Sequence, residues 1–178
     1  MKKLLGMVSV LALSSGAYAQ LSELESNDTI ASANFVGAAL YPTGAVAIDG
    51  SLSPGDVDHF SFNLTAGDRV AVATYDFATD NTTGLGGLDT LLGVFGPGGA
   101  FFDSDDDDNI GLLSSYQLVV PTSGTWTFAV TGFGDSNFDG LGHSQTGEYK
   151  FVFAINPVPE PTTLALLGLG GLLALRRR

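Results

Sequence analysis

Between Gln20 and Pro157 the chain is cut into short stretches that either alternate with a two-residue period or form brief apolar runs, and no long amphipathic helix pattern appears. In His59–Leu64 the residues Phe60, Phe62 and Leu64 share one face, and His59, Ser61 and Asn63 share the other. Trp126, Phe128 and Val130 make one face of Thr125–Thr131, and Tyr149, Phe151, Phe153 and Ile155 make one face of Tyr149–Ile155. Ala45–Leu52, Arg69–Tyr75, Thr90–Phe95 and Ser115–Val120 complete the set of expected strands. Turn signals separate them: Ser53-Pro54-Gly55-Asp56, Thr65-Ala66-Gly67-Asp68, Gly96-Pro97-Gly98-Gly99 and Pro121-Thr122-Ser123-Gly124. Short strands punctuated in this way predict an all-β fold, an antiparallel β-sandwich of jelly-roll-like form. One helical turn is expected within Gln20–Ala33, starting near Ser26 or Asn27, and Thr79–Gly87 reads as a loop rich in Gly, Thr and Asn.

The two ends read as address labels. Lys2-Lys3, the apolar Leu4–Leu13 and the A-x-A sequence Ala17-Tyr18-Ala19 predict a helical signal peptide over residues 1–19, cut before Gln20. At the other end come Val158-Pro159-Glu160-Pro161, an apolar stretch from Thr162 to Leu175, and Arg176-Arg177-Arg178. This tail resembles the PEP-CTERM sorting signal of Gram-negative bacteria. The resemblance implies export, a transient inner-membrane anchor formed by a C-terminal transmembrane helix, and removal of the tail near Pro159-Glu160-Pro161 by an exosortase-type enzyme. The mature protein would then reside in the cell envelope, on the outer surface or in the extracellular matrix. Thr162–Leu175 is short against the ~20 apolar residues of an ordinary span. The arginines should stay cytoplasmic, leaving the folded part outside. The expected division is therefore residues 1–19, 20–156 and 157–178.

Once those ends are set aside, charge dominates. Between Gln20 and Pro157 only Arg69 and Lys150 oppose 18 carboxylates, a formal charge of −16. Nucleic acid is excluded as a partner, and an anionic membrane is repelled. A compact fold with that charge repels itself unless cations neutralise it, so a divalent metal is expected. There is no cysteine. Disulfides therefore cannot staple the domain, and stability must come from packing or metal.

The acids fall in four clusters at expected strand ends: Glu23-Leu24-Glu25-Ser26-Asn27-Asp28, Asp56-Val57-Asp58, Asp103-Ser104-Asp105-Asp106-Asp107-Asp108-Asn109 and Asp135-Ser136-Asn137-Phe138-Asp139-Gly140. All offer hard oxygen donors, which suit calcium with its six to eight oxygens at ~2.3–2.6 Å. Two histidines and no thiol argue against zinc or copper. In the fourth cluster, Asp135, Asn137, Asp139 and Gly140 match the opening of an EF-hand-type loop, a candidate second metal site. Its twelfth position is Thr146 rather than Glu.

Taken in order, several of these landmarks resemble the bacterial pre-peptidase C-terminal domain. They are Glu23-x-Glu25-x-Asn27-Asp28, then Gly55-Asp56-Val57-Asp58-His59-Phe60, then Asp89-Thr90-Leu91-Leu92-Gly93-Val94-Phe95 with Gly99 and Asp106-Asp107, then Gly124-Thr125-Trp126 and Gly147-Glu148-Tyr149. That family is a calcium-binding β-sandwich, similar to the collagen-binding modules of clostridial collagenases, and it usually follows a secreted protease. The resemblance implies calcium ligands at Glu23, Glu25, Asn27, Asp28, Asp56 and Asp58, with Asp106 and Asp107 as neighbours.

No protease region is read ahead of this module, so catalysis would have to lie within the sandwich. His59 is expected on a surface face with Ser61 and Asn63, and His143 in a Gly-rich loop; neither forms a triad by adjacency. No catalytic residue is assigned and no enzyme activity is expected. The leading reading is a non-catalytic, calcium-stabilised surface or matrix module that meets an extracellular glycan or protein, with Tyr41, Tyr75, Phe101, Phe102 and Tyr116 as candidate exposed aromatics. Of these, Phe101-Phe102 fits burial at a strand end better. The alternative is a cryptic metal-assisted hydrolase.

Overall fold

The structure, a computed structural model, describes residues 19–76 and 88–157. Ten strands form it: β1 (Ala19–Ser22), β2 (Asn34–Phe35), β3 (Ala45–Leu52), β4 (Asp58–Leu64), β5 (Arg69–Asp76), β6 (Thr90–Phe95), β7 (Phe101–Asp105), β8 (Ser115–Val119), β9 (Gly124–Gly132) and β10 (Gly147–Asn156). They make two five-stranded sheets, ordered β1-β3-β10-β5-β8 and β2-β4-β9-β6-β7. The expected all-β sandwich is thus present. The signal segment through residue 18, the Thr79–Gly87 loop and the sorting tail beyond Pro157 lie outside the described residues. Among the described residues no helix is long and apolar enough to cross a membrane.

The alternating runs behave as their period requires. Phe60, Phe62, Phe128, Phe151 and Phe153 are fully buried between the sheets with Trp126 and Tyr149. Phe62 stacks on Phe153 at 3.9 Å between ring centroids, and Phe60 on Phe151 at 5.0 Å. Tyr41, expected to be exposed, belongs to this core; its ring centroid is 5.5 Å from that of Phe153. The two sheets are also joined by a buried hydroxyl chain: Thr74 of β5 lies 2.8 Å from Thr90 of β6, and Ser114 Oγ donates to the Thr90 carbonyl at 2.6 Å.

Three strands, β1, β2 and β7, are absent from the expected set, and all lie at sheet edges. β7, Phe101-Phe102-Asp103-Ser104-Asp105, is largely solvent-facing on both sides, so nothing selects alternation. Phe101 and Phe102 are 57% and 46% exposed, against the expectation of burial. Phe101 rests against Phe95 and Phe138, and Phe102 against Trp126, from the outside. β1 and β2 pair in parallel with β3 and β4, whereas the other strand pairs are antiparallel. Their direction has a simple cause. β3 runs up the first sheet, crosses at Ser53–Val57 and descends the second as β4. The leading segment shadows that path as β1, a crossing stretch, and β2. Two crossovers therefore run side by side over one end of the sandwich. The helical turn is a 3-10 turn at Ile30–Ser32, later than expected. Thr29 and Ser32 cap each other there, while the Asn27 carbonyl is already taken by the His59 amide.

Candidate metal centre

The paired crossovers bring the first two acidic clusters together. Glu23, Glu25 and Asp58 each place a carboxylate oxygen within 4.8 Å of the others, and so do Glu25, Asp28 and Asp56. Glu25 is common to both groups.

Each ligand is set by its strand. The amide of Glu23 continues the β1–β3 ladder, donating to the Asp49 carbonyl at 3.0 Å. Its Oε1 accepts from the Ser51 amide at 2.7 Å, while its Oε2 is buried without a hydrogen-bond partner. Asp58 opens β4, is fully buried and accepts the Tyr149 hydroxyl at 2.6 Å. Tyr149 reaches it by lying across Gly50, its opposite number on β3, where a Cβ would stand 2.5 Å from the ring. Asp56 Oδ2 closes its own turn by accepting from the Ser53 amide at 3.1 Å. Asn27 is fully buried, and one terminal atom of its amide stands 3.0 Å from Glu25 Oε2 and 3.2 Å from Asp58 Oδ1. With nitrogen there, the amide donates to both carboxylates. With oxygen there, three oxygens face one another, an arrangement that repels itself unless a cation lies between them.

The electrostatics point the same way. Burial and the Glu23 charge push the Asp58 carboxyl up to about 9. Burial raises Glu23, and burial followed by the Asp56 and Asp28 charges raises Glu25. Tyr149 is held well above its ordinary value by burial and by the Asp58 charge. Lys150, on the neighbouring β10, pairs with Asp49. The folded state resists the charge that these groups carry in water at neutral pH. A hard divalent ion would offset that resistance, and the donor set is all oxygen, which fits calcium.

Both histidines lie behind this cluster. His59, expected at the surface, is only 2% exposed. The outer face of the second sheet is covered where it stands: its ring is 6.1 Å from that of Phe95, and its Nδ1 donates to the Asn27 carbonyl at 3.1 Å. Burial lowers its pKa. His143 places Nε2 3.0 Å from the Asp56 carbonyl. Each ring thus holds the backbone of one acid-bearing segment.

Asp106 and Asp107 gather elsewhere, with Asp89. The pairing of Asp105 with Leu92 returns the residues after β7 to the start of β6, at the edge of the sheet opposite β2. Asp89 was not a sequence candidate, because its partners become visible only through that register. Asp103 and Asp105 serve the edges: Tyr116 donates its hydroxyl to Asp103 at 2.7 Å, and the Ser115 amide donates to Asp105 at 2.7 Å.

In the fourth cluster the oxygens turn onto their own loop. Asp135, 1% exposed, accepts from Thr131 Oγ1 at 3.0 Å and from the Gly140 amide at 2.9 Å. Its other oxygen accepts from the Asp139 amide at 3.2 Å, and Asp139 accepts from the Leu141 amide at 2.9 Å. Between them Phe138, at φ 55, lays its ring over Gly93. Asn137 is exposed. These bonds define a loop that covers the outer face of the second sheet.

No curated protein matches the chain in sequence. Among solved structures it is similar to Aeromonas hydrophila PliG, a periplasmic lysozyme inhibitor of g-type lysozyme, at 17% identity and TM-score 0.48 over 69% of this chain and 96% of that one. It is similar to the pre-peptidase C-terminal domain of collagenase from Bacillus anthracis at 12% identity and TM-score 0.41, over 70% and 94% of the two chains. A third similar structure is CorA, a surface-associated copper-binding protein of Methylomicrobium album BG8, at 12% identity and TM-score 0.42, over 70% and 98%. At these scores no function passes from them to this chain. The tail is specific: residues 157–178 match the PEP-CTERM protein-sorting motif, which implies export, a C-terminal membrane anchor before processing, and processing by exosortase.

Proposed function

We propose that the protein is a non-catalytic surface or matrix module whose fold is locked by calcium, delivered by its sorting tail to the cell envelope or exopolysaccharide. The observation that carries the metal reading is Asn27, a fully buried amide aimed into the Glu25 and Asp58 carboxylates. Calcium held by Glu23, Glu25, Asn27, Asp28, Asp56 and Asp58 would tie the leading segment to the β3–β4 crossover. That segment buries few large apolar side chains: Leu24 is 74% and Phe35 58% exposed. A site with Kd of ~10⁻⁴–10⁻³ M would suffice outside the cell. The module would then present its surface to an extracellular glycan or protein.

The test is limited proteolysis and thermal melting of the mature domain with calcium or EDTA. Calcium should raise the melting temperature and protect Gln20–Asn34 from cleavage. An unchanged cleavage pattern in that segment would refute the proposal.

A further inference from the structure

The sandwich is polar along its strands. Glu148 at the start of β10 pairs with Ser51, beside Glu23 and the crossovers. The same end carries Asp56, Asp58, Asp76, Asp89, Asp106, Asp107, Asp135 and Asp139, because β4, β6 and β10 begin there and β5, β7 and β9 finish there. At the other end β10 finishes at Asn156, beside the exposed Arg69. Among the described residues Asp68 is the one carboxylate at that end, and it is buried, accepting from the Thr65 amide at 2.8 Å. β1 also starts near that end, with Ala19 beside Val46. The first described residue, Ala19, and the end of β10 at Asn156 therefore both lie opposite the acid rim.

We propose that, before its tail is removed, the sandwich stands on the outer face of the cell membrane on this tail-proximal end, with the acid rim pointing away from lipid. The contact surface consists of Pro42-Thr43, Thr65-Ala66, Pro121-Thr122 and Asn156. Geometry excludes the inverted posture. Asn156 is six residues from Thr162, where the apolar stretch begins, a reach of at most ~20 Å. The ten residues of β10 span ~30 Å. With the rim on the membrane, Asn156 would be lifted beyond its tether. The tether allows a sideways posture, and charge decides against it. Lying down brings rim carboxylates within the ~8 Å Debye length of an anionic surface, whereas standing holds them several lengths away. This inference rests on the sorting motif and the strand directions, and it is independent of whether calcium binds.

The chain has no cysteine, so single-cysteine reporters are unique. Thr43→Cys, Thr122→Cys and Ser136→Cys, all at exposed positions, are made in the full chain with its tail and given a fluorescent donor. The proteins are reconstituted in vesicles of phosphatidylcholine with or without phosphatidylglycerol, carrying a headgroup acceptor. Transfer should be strong from residues 43 and 122 and weak from 136, with an apparent distance difference of ~30 Å on the anionic vesicles. Inserting about twenty Gly/Ser residues after Pro157 should shrink that difference. Equal transfer from all three positions, or strongest transfer from 136, overturns the proposal. So does a difference unaffected by the insertion.

Discussion

Replacing Asp58 by Asn should stabilise the ion-free protein at neutral pH and remove most of its response to calcium. Asp58 is fully buried, and its carboxyl is pushed up to about 9 by burial and the Glu23 charge. A carboxyl raised on folding binds its proton more tightly in the folded state. Ion-free protein must therefore lose stability as pH rises from about 4 towards 9. At ~1.36 kcal/mol per pH unit, the loss accumulated from the ordinary carboxyl value of 3.8 up to pH 7 is at most about 4 kcal/mol. Asn keeps the shape, still accepts from Tyr149 and removes the charge. Ion-free Asp58→Asn should melt several degrees above wild type at pH 7, with a flatter pH profile. Calcium should then do little for it, whereas wild type gains ~2.7 kcal/mol at a hundred times Kd. Calorimetry from pH 4 to 9, with EDTA and with calcium, reads both arms. The reasoning fails if ion-free Asp58→Asn melts below wild type at pH 7 while its calcium response is unchanged.

Gly50→Ala places a methyl 2.5 Å from the Tyr149 ring. It should cost ~1–3 kcal/mol and weaken the calcium response through Asp58, measured by paired melts with and without the ion. Gly93→Ala meets the Phe138 ring at 2.6 Å; it should cost a similar ~1–3 kcal/mol but leave the calcium increment intact, since that ring serves the outer face of the second sheet. Thr90→Val removes the hydroxyl that lies 2.8 Å from Thr74 and 3.0 Å from Ser114, while Ser114 Oγ keeps the Thr90 carbonyl; melting should show a loss of ~1 kcal/mol. Replacing Pro159-Glu160-Pro161 with alanines should leave full-length chain in the membrane fraction of the host; normal processing on an immunoblot would contradict the sorting role.

The seven expected strands, alternating or short apolar runs, were legible because at least one of their faces had to be dry. β1, β2 and β7 were not: β1 and β2 are only four and two residues long, and β7 is exposed on both faces. The burial of His59 was not legible either. Its strand pattern places it opposite the core, and only the fold reveals that the outer face of the second sheet is covered as well.

Composition and local pattern alone determined an exported, acid-rich, cysteine-free β domain with its ligand types concentrated in the leading segment and the following turn. Those are properties of residues and their near neighbours. Tertiary structure decided which acids meet. The parallel crossovers join Glu23, Glu25 and Asp28 to Asp56 and Asp58, the β6–β7 register draws Asp106 and Asp107 to Asp89, and Asp135 folds onto its own loop. Strand direction and register are set by packing between distant segments, and no local spacing encodes them.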